Sequence, residues 1–119
     1  MWKRVRSALD DWFARHQQFM LGRYVTEGTD SLSGAGALST DTQTTKWTTT
    51  GANAGTLADG FEGQTKYIVM VADGGDGTLT PTNFGNGTTL TFGDVGDSVQ
   101  LQFLAGEWWV LANNGVVVA

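Results

Sequence analysis

The sequence contains no cysteine, so it offers no disulfide staple, no thiolate ligand and no thiol nucleophile, and it gives no sign of an oxidising compartment. Histidine is nearly as scarce. His16 is the single one, and it cannot nucleate a zinc site unaided or serve a nucleophile that lies far along the chain. Proline occurs once, and no stretch approaches the ~20 consecutive apolar residues of a membrane-spanning helix. A secretory leader is not expected either. Met1 to Arg6 could serve as its charged start, but Asp10, Asp11, Arg15 and His16 interrupt the apolar segment that should follow. The GK[ST] of a phosphate-binding loop is also missing, and no helix follows Gly74, Gly75 and Gly77.

What the chain has in plenty is glycine, 17 in 119 residues, together with threonine and short apolar runs. Length allows one small domain and an appendage. From Gln64 to Asn114 the sequence reads as a train of short strands, TKYIVMVA, GTLTPT, TTLTF, DSVQLQFL and EWWVLA, separated by the turn segments DGGDG, NFGNG, GDVGD and AGE. Leu79 stands between threonines. Leu90 and Phe92 flank Thr91, and Val99, Leu101 and Phe103 alternate with glutamines, the period-2 signature of a sheet with one dry face. The closing GVVVA reads as a final strand, and a short strand is expected around Thr56 to Ala58. The expectation is a mainly β fold, a small antiparallel β-sandwich or barrel spanning residues 38–119.

Ahead of it, residues 1–22 form the one helical candidate. Trp2, Val5, Leu9, Trp12, His16 and Phe19 follow one another at spacings of three and four, with Phe13 and Met20 widening the stripe. With fewer than three heptads, such a helix needs something to lie against: its own β-domain, a self-trimer, or a groove on another protein. Asp10 and Asp11 on its polar face weigh against a membrane surface. Residues 23–37, rich in Gly, Ser, Thr and Ala, read as a flexible linker.

Charge divides the same way. Residues 1–23 carry Lys3, Arg4, Arg6, Arg15 and Arg23 against Asp10 and Asp11, whereas the remainder sets Lys46 and Lys66 against ten acids. An acidic body of this kind repels phosphate, so nucleic acid is not an expected partner.

Candidate chemistry is thin. Asp73 with Asp76 and Asp94 with Asp97 are paired carboxylates, but DGGDG and GDVGD are settings in which Asp bonds the turn backbone; calcium is the weaker alternative, since the spacing departs from the EF-hand loop. Trp47, alone in the Thr-rich run Leu38 to Thr50, is expected on an edge or intersubunit strand, packing on a neighbouring strand or subunit, with a sugar face as the weaker alternative. Trp108 and Trp109 must face opposite ways on a strand, one into the core beside Phe103 and the other toward a subunit contact. The residues expected at protein interfaces are therefore Trp2, Val5, Leu9, Trp12, Phe13, Phe19, Trp47, Trp108 and Trp109. No cofactor is expected, and no enzymatic activity.

The segment from Thr56 to the C-terminus, through TLADGFEGQTKYIVMVADGG, TLTPTNFGNGTTLTFGDVGDSV and WWVLANNGV, resembles small structural proteins of tailed bacteriophages, especially those of cyanobacteria and marine bacteria. The resemblance implies a virion component, a head decoration or cement protein or a short fibre module. It further implies a homotrimer that touches a major capsid protein or a fibre or tail component.

Overall fold

The structure is a computed structural model and describes residues 27–119. The helix expected over residues 1–22 lies outside the described residues, as do Trp2, Val5, Leu9, Trp12, Phe13 and Phe19.

Ten strands follow in order: β1 (Thr29–Ser33), β2 (Gly36–Leu38), β3 (Thr44–Thr48), β4 (Asn53–Leu57), β5 (Thr65–Ala72), β6 (Gly77–Pro81), β7 (Leu90–Phe92), β8 (Ser98–Leu104), β9 (Glu107–Asn114) and β10 (Val117–Val118). They form two five-stranded sheets, one ordered β1-β3-β5-β8-β9 and the other β10-β7-β6-β4-β2. The fold is thus mainly β, as expected, but the sheets are mixed. β1, β3 and β5 run parallel, as do β2, β4 and β6, while β7 to β10 join antiparallel.

The departure from an all-antiparallel sandwich has a simple physical origin. Between β1 and β2, β3 and β4, and β5 and β6, the short corner carries the chain into the opposite sheet instead of reversing it within one. Each parallel partner is then reached through a strand of the other layer, which supplies the long crossover that parallel pairing requires. The result is three stacked coils of a flattened solenoid followed by an antiparallel cap. The stretch expected to be linker is in part structural, because Thr29–Ser33 and Gly36–Leu38 are the first coil.

The corners stack tightly enough to specify glycine. Thr49 Oγ1 donates to the Gly75 carbonyl at 2.6 Å and accepts from Gly74 N–H at 3.0 Å. A Cβ on Gly75, whose φ is +153°, would stand 2.5 Å from the Gly51 carbonyl carbon. The backbones of successive corners therefore touch with no room for a side chain.

Between the sheets lie Leu38, Trp47, Leu57, Ile68, Met70, Leu79, Leu90, Phe92, Val99, Leu101, Phe103, Trp108 and Val116. The alternating residues of β6, β7 and β8 face inward as their period-2 pattern predicts, and β10 closes on β7 of its own sheet. The two ends of the stack differ. At one end, residues 83–86 lie along β9: Trp108 N–H donates to the Asn83 carbonyl at 2.9 Å, and Gly85 N–H to the Trp108 carbonyl at 2.9 Å. At the other end, β1 and β2 each keep an edge with no strand partner among the described residues.

Candidate functional site

Trp47 is not at an edge. β3 lies between β1 and β5, and Trp47 is fully buried, its indole crossing the core to rest where a Cβ on Gly55 would be 2.9 Å away and one on Gly77 3.0 Å away. Its Nε1 donates to the Gly34 carbonyl at 2.8 Å, and its ring meets Phe92 edge-on at 5.6 Å. No surface is left on it for a subunit or a sugar. Trp108 is likewise wholly buried, edge-on to Phe103 at 5.2 Å with Nε1 donating to the Ala58 carbonyl, so it fills the core position expected for one member of the pair. Trp109 faces the other way, half-buried, its Nε1 donating to the Leu104 carbonyl at 2.8 Å. Of the three body tryptophans, it alone keeps an outward surface.

The residues of TLADGFEGQTK are architectural. Gly60 lies against the Trp108 ring. Gln64, buried, donates from Nε2 to the Thr40 carbonyl at 2.7 Å and accepts from Phe61 N–H. Asp59 accepts two bonds from the Asn83 amide, which ties the loop to residues 83–86.

Lys66 was not singled out by sequence reasoning. It points inward from β5 and is fully buried, an unusual place for a cation. Its Nζ donates to Thr45 Oγ1 at 2.7 Å and to Thr42 Oγ1 and the Thr42 carbonyl at 3.1 Å. Both hydroxyls donate onward to Asp30 Oδ1, at 2.6 Å from Thr45 and 2.9 Å from Thr42. The cation and the carboxylate are thus joined through two threonines. Burial lowers the Lys66 ammonium to about 8, against a smaller opposing pull from Asp30. At Asp30 burial pushes upward, but the Thr45 and Thr42 hydroxyls and Lys66 together hold the carboxyl below the usual value. The signal for this network was present in the sequence as an inward-facing Lys at period 2 with Ile68 and Met70.

In each carboxylate pair one member is occupied by its turn. Asp73 Oδ1 accepts from Gly75 N–H at 3.0 Å, and Asp97 Oδ2 accepts from Gly93 N–H and Asp94 N–H at 2.9 and 3.0 Å. Among the described residues no group of three or more His, Cys, Asp or Glu is placed to hold a metal ion. Replacing Asp97 with alanine is expected to lower stability by about 1–3 kcal/mol, because it strands two donors in a nearly closed turn. A urea titration checks this, and millimolar calcium should leave the wild-type midpoint unchanged.

On the outer face of the first sheet, a shallow open groove of about 280 Å³ is lined by Tyr67, Val69, Ser98, Val99, Gln100, Ala112, Asn113 and Asn114. Its residues form two rows across β5, β8 and β9: Tyr67 with Gln100 and Ala112, and Val69 with Ser98 and Asn114. None of them is charged. Comparison with known protein families, with curated proteins and with solved structures returns no match.

Proposed function

We propose that the chain is a non-enzymatic structural protein of a tailed-phage virion, a decoration or cement protein anchored through residues 1–26 and displaying its β-domain outward. The observation that carries this reading is the polarity of the stack. The chain enters the solenoid at β1, where the strand edges have no strand partner among the described residues, and finishes at the opposite end, where residues 83–86 lie along β9. Such a body suits attachment at one end and display at the other. Its skin is consistent with a surface role: with Lys66 buried, Lys46 is the one exposed cation among the described residues, set against ten acids. The basic, aromatic-rich stripe of residues 1–22 supplies a chemically different surface for docking. Many copies on a symmetric lattice would sum weak contacts into firm attachment.

Particles assembled with a chain lacking residues 1–21 are expected to lose its density in cryo-EM reconstructions. Unchanged occupancy would remove the anchoring role. Native mass spectrometry of the full-length chain should give a trimer. A second reading, a tail-fibre or spike module that binds a host receptor or surface glycan, is favoured by the solenoid itself, because the edges of β1 and β2, which have no strand partner among the described residues, are of the kind that continue from a preceding coil.

A further inference from the structure

We propose that the outer groove across β5, β8 and β9 is a binding site for a neutral saccharide. The proposal gives the second reading, binding of a surface glycan, a site and a ligand class, and does not depend on how the chain is anchored.

The groove exists because of a bulge. On its core-facing side β9 pairs Val110 with Leu101, and on its outer side Trp109 with Gln102. Past that point the register shifts by one, so Ala112, not Leu111, stands opposite Gln100. Without the shift a leucine would occupy the row that Tyr67 and Gln100 share; with it, Leu111 is set aside at 52% exposure and a methyl group forms the floor. Bulges are enriched where a strand must re-aim its side chains at a functional surface.

The exposed chemistry is of one kind. The Gln100 carboxamide, the Ser98 hydroxyl and the Tyr67 hydroxyl make no hydrogen bond among the described residues, although most polar side chains around them do. Asn114 spends its Nδ2 on the Gly96 carbonyl and keeps its Oδ1 as an acceptor, while Asn113 is consumed by both backbone groups of Val116. What remains is a carboxamide, two hydroxyls and an amide oxygen, groups that donate and accept in the manner of vicinal sugar hydroxyls. The Tyr67 ring, Val69 and Ala112 supply an apolar footing for the C–H face of a ring.

Charge narrows the class. On a body with ten acids the lining carries no ionisable group except the Tyr67 phenol, so nothing there would compensate a sulfate, a carboxylate or an ammonium. The volume lies just under the roughly 300–1,000 Å³ of small-molecule sites, and three strands at ~4.8 Å spacing span about 10 Å. A short stretch of a neutral glycan fits that reach, and an extended protein surface does not.

The experiment is a titration of the ¹⁵N-labelled full-length chain with cellohexaose, laminarihexaose and mannohexaose, alongside a neutral-glycan array and a heparin hexasaccharide as the anionic comparison. At least one neutral glycan should bind with millimolar or tighter affinity and shift the Gln100 side-chain amide together with the backbone of Ser98 and Ala112. The heparin fragment should leave them in place. Gln100→Ala should weaken binding about 5-fold, the loss of one or two exposed hydrogen bonds. Ala112→Leu should weaken it at least about 10-fold by refilling the groove. Both changes lie on the outer face and should leave the melting temperature within a degree or two of wild type, so a lost signal reports the groove and not the fold. The proposal is overturned if no neutral glycan on the array or in the titration binds, if the shifts fall elsewhere, if heparin competes equally, or if Ala112→Leu binds as wild type does.

Discussion

Replacing Trp47 with alanine is expected to destabilise the β-domain by about 3–5 kcal/mol, the usual range for truncating a buried Trp. Small domains are held by roughly 5–15 kcal/mol in total, so the variant should stand close to unfolding at physiological temperature. The size of the effect follows from what the ring does. It crosses from β3 to the opposite sheet, fills the notch above Gly55 and Gly77, meets Phe92, and satisfies the Gly34 carbonyl at the first corner. It therefore holds the first two coils to each other as well as the two sheets. Trp47→Phe keeps much of the filling and loses the hydrogen bond, so it should cost clearly less. Gly55→Ala should also destabilise, by about 1–3 kcal/mol, because its new methyl would press on the indole from 2.9 Å. The Trp47→Phe, Gly55→Ala double variant should then lose less than the two single variants added together, since a smaller ring makes room for the methyl. Urea denaturation followed by circular dichroism measures all four proteins. A Trp47→Ala chain that melts with wild type would place the indole on the surface, contrary to the structure.

That residue also marks the boundary of what the sequence made visible. Where inward positions are filled by Leu, Val and Phe, as in β6 to β8, period-2 alternation shows both the strands and their buried faces. In β3 the inward positions are Thr45, Trp47 and, just beyond, Thr49, all buried, with the threonines hydrogen-bonded instead of apolar, so the pattern looked too thin for a central strand. The first coil was disguised for a related reason. Gly34 takes a φ of +78° at the first corner and a Cβ on Gly36 would stand 3.2 Å from Leu32, so small residues are needed there and Thr29 to Leu38 has the composition of a linker. Parallel pairing is hidden because a short turn reads the same whether the chain reverses within one sheet or crosses into the other layer. The clue lies in the recurrence of GAGAL and NAGTL, which align in register across β2 and β4. The groove was not legible at all, since a single bulge on β9 sets its floor, and no local pattern marks which residue of WWVLANN will be passed over.

The buried ion network gives the second large effect, and its sign depends on which member is removed. Asp30→Ala or Thr45→Val is expected to cost about 2–4 kcal/mol, because each leaves the enclosed Lys66 cation short of partners it cannot replace with water. Lys66→Met removes the cation and retains the chain length, so it should be close to neutral or stabilising, as exchanges of buried ions for apolar side chains often are. Proton linkage separates this from ordinary packing loss. Lys66 titrates at about 8 in the folded chain and near the ordinary 10.5 when unfolded, so between these values the unfolded chain binds more protons and stability rises with pH. Asp30, held below 3.8, contributes stability that is present above that value and is lost as pH falls through its folded pKa. Urea midpoints measured from pH 7 to 10.5 should therefore climb in the wild type relative to Lys66→Met, a comparison that cancels the tyrosines both proteins share. Parallel curves for the two proteins would mean that Lys66 titrates in the folded chain as it does in water, and that the threonine-bridged network exerts no hold on its proton.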